Sequence, residues 1–311
     1  MRLLPFLDGD MINFLPKKMV FVIAGSLLVL NVFFWCGLLF SFALFKLLLP
    51  IRAVRTVIDR ILNGIAEGWI ACNSAWMKLT QKTNWDVKGI DNLNYNSWYL
   101  INCNHQSAAD IFVLQHLLNY KIPFLKFFIK RELIYVPIMG LAWWALDFPI
   151  MKRHSREHLE KHPEKRGKDL ETTRKACEKF MMIPTSVMNF IEGTRFSQFK
   201  HDKQKSPYRY LLKPKAGGMA LALDTMGCKL HSILDVTIVY PDGAPTFWQF
   251  LSGKVKRVIV RMQQLPIPNR LMGGDYENDP GFREAIQQWL HELWLEKDQQ
   301  IAELLAQANP A

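Results

Sequence analysis

The chain has no C-x-x-C pair, and its five cysteines, Cys36, Cys72, Cys103, Cys177 and Cys228, are scattered and odd in number. That excludes a disulfide framework and a cysteine-zinc ribbon, and it fits a reducing compartment. No G-x-S-x-G elbow is present, so the strand-turn-helix nucleophile of the α/β-hydrolases is missing. There is no internal repeat and no low-complexity tract. Acidic residues are in short supply: 28 Asp and Glu stand against 39 Lys and Arg, a net charge of +11. A surplus of that size favours an anionic partner, whether lipid headgroup, nucleic acid or phosphorylated substrate.

What is present begins with an apolar run. Met19–Phe45 is 27 residues without a charge, and about 20 apolar residues span a bilayer. It reads as a transmembrane helix with slack for tilt, or as an in-membrane hairpin. It is too long for a signal-peptide core, and no A-x-A-like cleavage site follows. Lys46, Arg52, Arg55 and Arg60 make the C-terminal flank the more basic, against Lys17 and Lys18 with Asp8 and Asp10 on the other side. By the positive-inside rule the remainder faces the cytoplasm. Next, Ile51–Leu79 places Val54, Val57, Ile58, Ile61, Leu62, Ile65 and Trp69 near one helical stripe. That helix either lies among headgroups or packs on the globular domain.

From Trp85 the pattern alternates. Strand-like runs fall at Trp85–Ile90, Trp98–Cys103, Ala145–Met151, Ser186–Ile191, Ile233–Tyr240 and Arg257–Met262. Helical patterns lie at Ala109–Leu118, Leu170–Met181, Gly218–Met226 and, closing the chain, Phe282–Leu305. Interleaved strands and helices predict an α/β domain around a mostly buried sheet. Four units follow: residues 1–18, a membrane segment at 19–49, an amphipathic segment at 50–84, and a domain at 85–311.

The chemistry concentrates at strand ends. His105 and Asp110 cannot share a helix face, being about 140° apart on an ideal helix. They meet if His105 sits in the loop and Asp110 in the first helical turn, with Ser107 as N-cap. The carboxylate then fixes one imidazole nitrogen and leaves the other as a base for a hydroxyl. Equally, Ser107-x-x-Asp110 reads as a capping box in which Asp110 merely closes the helix. Glu192-Gly193-Thr194-Arg195 also ends a strand; its glycine permits a tight turn and its arginine can fork to a phosphate. Arg153, after Met151-Lys152, and Lys215, in Lys213-Pro214-Lys215-Ala216-Gly217-Gly218 before a helix, are further anion-holding candidates. Each of these elements could equally be an ordinary basic surface turn.

Asn104-His105-x4-Asp110, Glu192-Gly193-Thr194-Arg195 and Asp235-Val236-Thr237-Ile238-Val239-Tyr240-Pro241 stand in the order of the glycerophospholipid acyltransferase blocks. Over roughly Trp85 to Pro241 the chain resembles the 1-acylglycerol-3-phosphate (lysophosphatidic acid) acyltransferase superfamily. It is most similar to a bacterial inner-membrane branch, and it also resembles the lysocardiolipin-type eukaryotic branch. The resemblance implies an α/β, glycerol-3-phosphate acyltransferase-like domain with a mixed sheet and flanking helices, preceded by an N-terminal transmembrane helix. His105 would be the general base, oriented by Asp110. Arg153, Glu192, Gly193, Thr194, Arg195 and Lys215 would bind the acceptor phosphate, and the strand ending at Pro241 would shape the acyl or donor pocket. It also implies no metal and no cofactor beyond acyl-CoA or acyl carrier protein as co-substrate. The other partners would be membrane lipids and a lysophospholipid acceptor, with no nucleic acid. The activity implied is acyl transfer to the free hydroxyl of a lysophospholipid, foremost 1-acyl-glycerol-3-phosphate giving phosphatidic acid, and two departures leave lysophosphatidylglycerol or a lysocardiolipin-like acceptor as the alternative. The second block usually reads Gly-x-x-Phe-Ile-x-Arg, and only Arg153 matches; Pro241 is followed by Asp242 rather than an apolar residue.

Three rival classes fit the sequence less well. His154-Ser155-Arg156-Glu157-His158 matches the H-x-x-E-H zinc signature, but Lys152, Arg153 and Arg156 would repel a dication. A serine hydrolase lacks its elbow. A membrane-tethered basic lipid-binding module accounts for the charge but not for the ordered blocks.

Overall fold

The computed structural model describes residues 12, 14–49, 51–151, 179–276 and 278–309. Its first two elements are long helices, α1 (Lys17–Leu48) and α2 (Arg52–Thr80), packed against each other. α1 is long and apolar enough to cross a membrane by length and composition. Val20, Ala24, Cys36, Leu39 and Ala43 form its buried stripe, whereas Val22, Val29, Leu30, Phe33, Phe34 and Phe45 face outward. The α2 stripe is used for packing: Ile58, Leu62, Ile65 and Ala66 join the same core. The outward Val57 is 55% exposed.

The domain is built on a six-stranded sheet in the order β1-β8-β7-β2-β6-β3. The strands are β1 (Asn84–Lys88), β2 (Tyr99–Cys103), β3 (Leu125–Phe127), β6 (Ser186–Phe190), β7 (Ser232–Val239) and β8 (Arg257–Leu265). β4 (Ile129–Lys130) and β5 (Ile150–Met151) pair separately. Neighbours run parallel except β7 with β8, which makes the sheet mixed. Among the described residues the helices after α2 are α3 (Ala109–Leu118), α4 (Met139–Ala145), α5 (Gln198–Gln204), α6 (Gly217–Met226), α7 (Phe247–Leu251) and α8 (Pro280–Ala308).

Strands buried on both faces read as continuous apolar runs, and β2 and β7 are buried at every residue. One face, with Tyr99, Ile101, Leu234 and Val236, packs on α1, α2 and α3. The other, with Leu100, Val187 and Ile233, packs on α6 and α8. The predicted strand at Ala145–Met151 is a correction: α4 ends at Ala145, and only Ile150–Met151 is strand. Between them Asp147 adopts a positive φ of 53°, and Lys46 of α1 pairs with it and with Asp59 of α2. The predicted helix at Leu170–Met181 lies outside the described residues except for the short 3-10 turn Lys179–Met181.

Candidate active site

β2, β6 and β7 run parallel and in register, so their carboxyl ends deliver three loops to one edge. The β2 loop carries Asn104 and His105, the β6 loop carries Glu192–Arg195, and β7 ends in Tyr240. Asn104 ties two of them together. Its Nδ2 donates to the Ile238 carbonyl at 2.9 Å, and its Oδ1 accepts from the Ile238 N–H at 2.9 Å.

His105 and Asp110 meet. Imidazole Nδ1 lies 2.8 Å from Asp110 Oδ2, and the carboxylate is fully buried while the imidazole is 14% exposed. The same Oδ2 accepts the N–H groups of Gln106 (2.7 Å) and Ser107 (2.9 Å). One carboxylate therefore orients the imidazole and holds the turn that leads into α3, and the capping box that the sequence offered as the alternative does not form. Ser107 is not the N-cap. Ala108 holds that position, and the Ser107 hydroxyl accepts from the Ala109 N–H at 3.1 Å while donating to the Pro245 carbonyl. A carboxylate oxygen placed this way accepts a hydrogen bond from Nδ1–H, an assignment made from the hydrogen-bond network, and leaves Nε2 with its lone pair. Phe190 stacks on the imidazole at 3.8 Å between centroids and 16° between planes, which fixes the ring tilt.

The remaining Asp110 oxygen, Oδ1, accepts the Tyr240 hydroxyl at 2.7 Å. Tyr240 is 4% exposed, and burial followed by the Asp110 charge pushes its phenol well above the ordinary range. Sequence reasoning placed Tyr240 in a pocket-shaping strand and missed this contact, although the residue sits in the run that carried the resemblance.

Glu192 does not line the cavity beside His105. It is fully buried. Oε1 accepts the His105 N–H at 2.8 Å and Oε2 the Leu212 N–H at 2.9 Å. Burial pushes its carboxyl up to about 7, against the lowering effect of those two N–H donors. A buried carboxylate whose oxygens face the backbone would repel a phosphate, so Glu192 braces the His105 loop instead. That loop is held from both sides, because the His105 carbonyl accepts the Phe196 N–H at 2.7 Å.

Gly193, with φ +69°, makes the turn that a Cβ would strain, and Thr194 and Arg195 follow it along the rim of a cavity of 590 Å³. The Arg195 side chain is exposed and makes no ion pair among the described residues. Lys200, which sequence reasoning did not single out, donates to Thr194 Oγ1 and to the Arg195 carbonyl, both at 2.8 Å. Lys215 does not line the cavity; its backbone N–H bonds the Ile191 carbonyl at 2.8 Å. Arg153 and the His154–His158 motif lie outside the described residues. From His105 the cavity runs past Phe127, Phe148, Ile111 and Phe112 to Leu28 and Val32 of α1 and Trp69 and Asn73 of α2. One end carries Arg195 and the base, and the rest is a mostly apolar channel, interrupted by Asn73, Gln115, Lys130 and Asn189, that reaches the helical pair.

Under the sheet, Lys297 of α8 is 2% exposed. Its ammonium reaches Asp235 Oδ2 at 2.8 Å, the Val236 carbonyl at 2.7 Å and Thr237 Oγ1 at 2.9 Å. Burial raises the Asp235 carboxyl and Lys297 lowers it. This pins α8 to the strand that carries Tyr240.

The Acyltransferase family model matches residues 84–241. The chain is 25% identical over 259 residues to mouse 1-acyl-sn-glycerol-3-phosphate acyltransferase gamma, covering 72% of this chain and 60% of that protein. It is 25% identical over 188 residues to the human delta protein, covering 54% of this chain and 42% of that one. The chain thus spans less than two thirds of the length of these curated relatives. The crystal structure of the 1-acyl-sn-glycerophosphate (LPA) acyltransferase PlsC from Thermotoga maritima shares the fold. Its TM-score is 0.50 at 17% identity, over 89% of this chain and 98% of that one. With the family match covering half of its length, the chain belongs to the Acyltransferase family.

Proposed function

We propose that the protein moves a fatty acyl chain from a thioester, acyl-CoA or acyl carrier protein, to the free hydroxyl of a lysophospholipid, foremost 1-acyl-glycerol-3-phosphate. The observation that carries this is the Asp110-oriented His105 at the junction of a cationic rim and an apolar channel. His105 Nε2 takes the hydroxyl proton as the oxygen attacks the thioester carbonyl carbon. The tetrahedral intermediate collapses, the C–S bond breaks, and the thiolate takes the proton from the imidazolium. Asp110 stabilises that imidazolium, and Phe190 and Glu192 hold its position. Arg195 receives the acceptor phosphate, and the channel receives an acyl chain. None of these roles requires a metal or a covalent acyl-enzyme.

The helical pair supports a membrane location. Lys17 bonds the Gly253 carbonyl and Phe21 meets Trp248 at one end of α1, whereas Lys46 reaches Ala145 and Asp147 at the other. Those contacts are about 43 Å apart along a helix axis, against a bilayer core of about 30 Å. A perpendicular crossing would carry α7 and α4 of one domain to opposite sides of the membrane. The α1–α2 pair therefore lies in one leaflet with its apolar face in lipid, and the channel opens toward it. Inner-membrane residence with the domain toward the cytoplasm is part of this proposal.

The test is product identification by mass spectrometry after incubation of detergent-purified protein with acyl-CoA and a panel of lysophospholipids. Phosphatidic acid as the main product supports the foremost acceptor. A diacyl product from lysophosphatidylglycerol or a lysocardiolipin alone would replace it. No diacyl product with either donor would overturn the acyl-transfer reading.

A further inference from the structure

Residues 195–215 carry seven Lys and Arg side chains and one carboxylate, Asp202. Asp202 is already engaged by Gln198 and His201. Lys203, Arg209 and Lys213 are exposed and make no ion pair among the described residues. The segment is not a loose loop. Ser197 caps α5 through the Lys200 N–H, and Lys200 fastens α5 to Thr194 and Arg195 at the cavity rim. At its other end the Arg209 and Tyr210 N–H groups donate to Asp298 at 2.8 and 2.7 Å, and Trp294 Nε1 donates to the Leu212 carbonyl at 3.1 Å. These anchors belong to α8, on the sheet face opposite α1 and α2. With the helical pair in lipid, this cationic platform faces water. Phe199 stands among its lysines with 75% of its surface exposed.

We propose that the platform docks an acidic, water-soluble carrier protein that presents its acyl thioester to His105. This rests on the acyl-transfer reading and names its donor. Three features select a protein over the alternatives. A lipid surface would meet the opposite face. The phosphates of a coenzyme need only a compact set of cations at the rim, such as Arg195 and Lys200, and leave Arg209, its backbone held on α8, and Lys213, its backbone held by Gln204, without a role. An exposed phenyl ring among well-separated cations matches an apolar notch bordered by carboxylates. The exposed Glu292 and Glu296 of α8 repel the same partner, which confines the footprint to the 198–213 segment.

The experiment compares wild type with the triple variant Lys203→Glu/Arg209→Glu/Lys213→Glu and its Gln counterpart, as full chains in detergent. Each is assayed with the same acyl group on acyl carrier protein and on coenzyme A. Electrostatic steering changes association by about tenfold or more. The expected result is a kcat/KM drop of about that size with the carrier protein, milder in the Gln form, with the coenzyme rate within about twofold. Rising salt should lower the wild-type carrier-protein rate as the triple variant does. Equal losses with both donors, or none with the carrier protein, would overturn the proposal. So would lost binding to anionic vesicles with an unchanged ratio between donors. Binding of acyl carrier protein without turnover keeps the two readings apart. Charge-dependent binding with no transfer from either donor supports the platform and sinks acyl transfer. Transfer from the coenzyme with no carrier-protein binding does the reverse.

Discussion

Replacing Glu192 with Gln keeps the shape of the side chain and removes one acceptor. Both Glu192 oxygens now accept a backbone N–H, from His105 and Leu212. A glutamine satisfies one and turns its own NH₂ against the other, at a cost of about 1–3 kcal/mol. The wild type carries a different penalty. Its folded carboxyl titrates at about 7, against an ordinary 4.5. The folded chain thus holds that proton more tightly than the unfolded chain. The protonated side chain's contribution is fully present below about pH 4.5 and is lost as pH rises through about 7, which amounts to roughly 3 kcal/mol. The two penalties act at different pH. At pH 5 the variant should melt below wild type by roughly 2–12 °C, at about 2–4 °C per kcal/mol. At pH 8 wild type bears its own cost, and the gap should close to within a few degrees. Thermal unfolding followed by circular dichroism at both pH values reads this directly. A constant offset, or no offset together with a raised KM for the acceptor, would refute the bracing role and return Glu192 to the substrate.

Tyr240→Phe strands Asp110 Oδ1 in a fully buried position. It should cost about 1–3 kcal/mol in urea unfolding and lower kcat with little change in acceptor KM; an unchanged kcat would remove Tyr240 from the positioning of the dyad. Arg195→Gln should raise the acceptor KM by roughly tenfold or more, since a charged hydrogen bond contributes about 1.5–3 kcal/mol. An unaltered KM would place the phosphate elsewhere. Lys297→Met leaves Asp235 buried without its cation and should destabilise by about 3–5 kcal/mol, with most of that recovered in Lys297→Met/Asp235→Leu. No recovery in the double variant would show that packing, not charge, is what Lys297 supplies.

The sequence revealed the long-range plan better than its exceptions. β2, β6 and β7 are short apolar runs that nothing but a buried sheet accommodates, and α3 falls at the predicted residues. β3, Leu-Lys-Phe, is too short and too interrupted to register, since Lys126 is buried by donating to the Leu146 carbonyl 20 residues away. Ala145–Met151 alternates like a strand, yet the Lys46 contact and the positive φ at Asp147 turn it into a helix end and a corner. At the site, spacing brought His105 near Asp110. It could not show that one oxygen orients the imidazole and also holds the Gln106–Ser107 turn before α3. Tyr240 is 130 residues from Asp110, beyond any local pattern. Lys297 did leave a trace: it falls on the stripe of Ile286, Leu290, Leu293, Trp294 and Ile301, where a lysine is out of place unless paired.

Acceptor-dependent thiol release from an acyl thioester, measured for wild type and His105→Ala in parallel, tests the central claim most directly. The account predicts release by wild type that requires the lysophospholipid and falls by about 10²–10⁴-fold in the variant, the usual contribution of a positioned base. Thermal unfolding should be near wild type, since the buried Asp110 keeps its bonds to Gln106, Ser107 and Tyr240. Equal release by both proteins would contradict the assignment of His105 as the base.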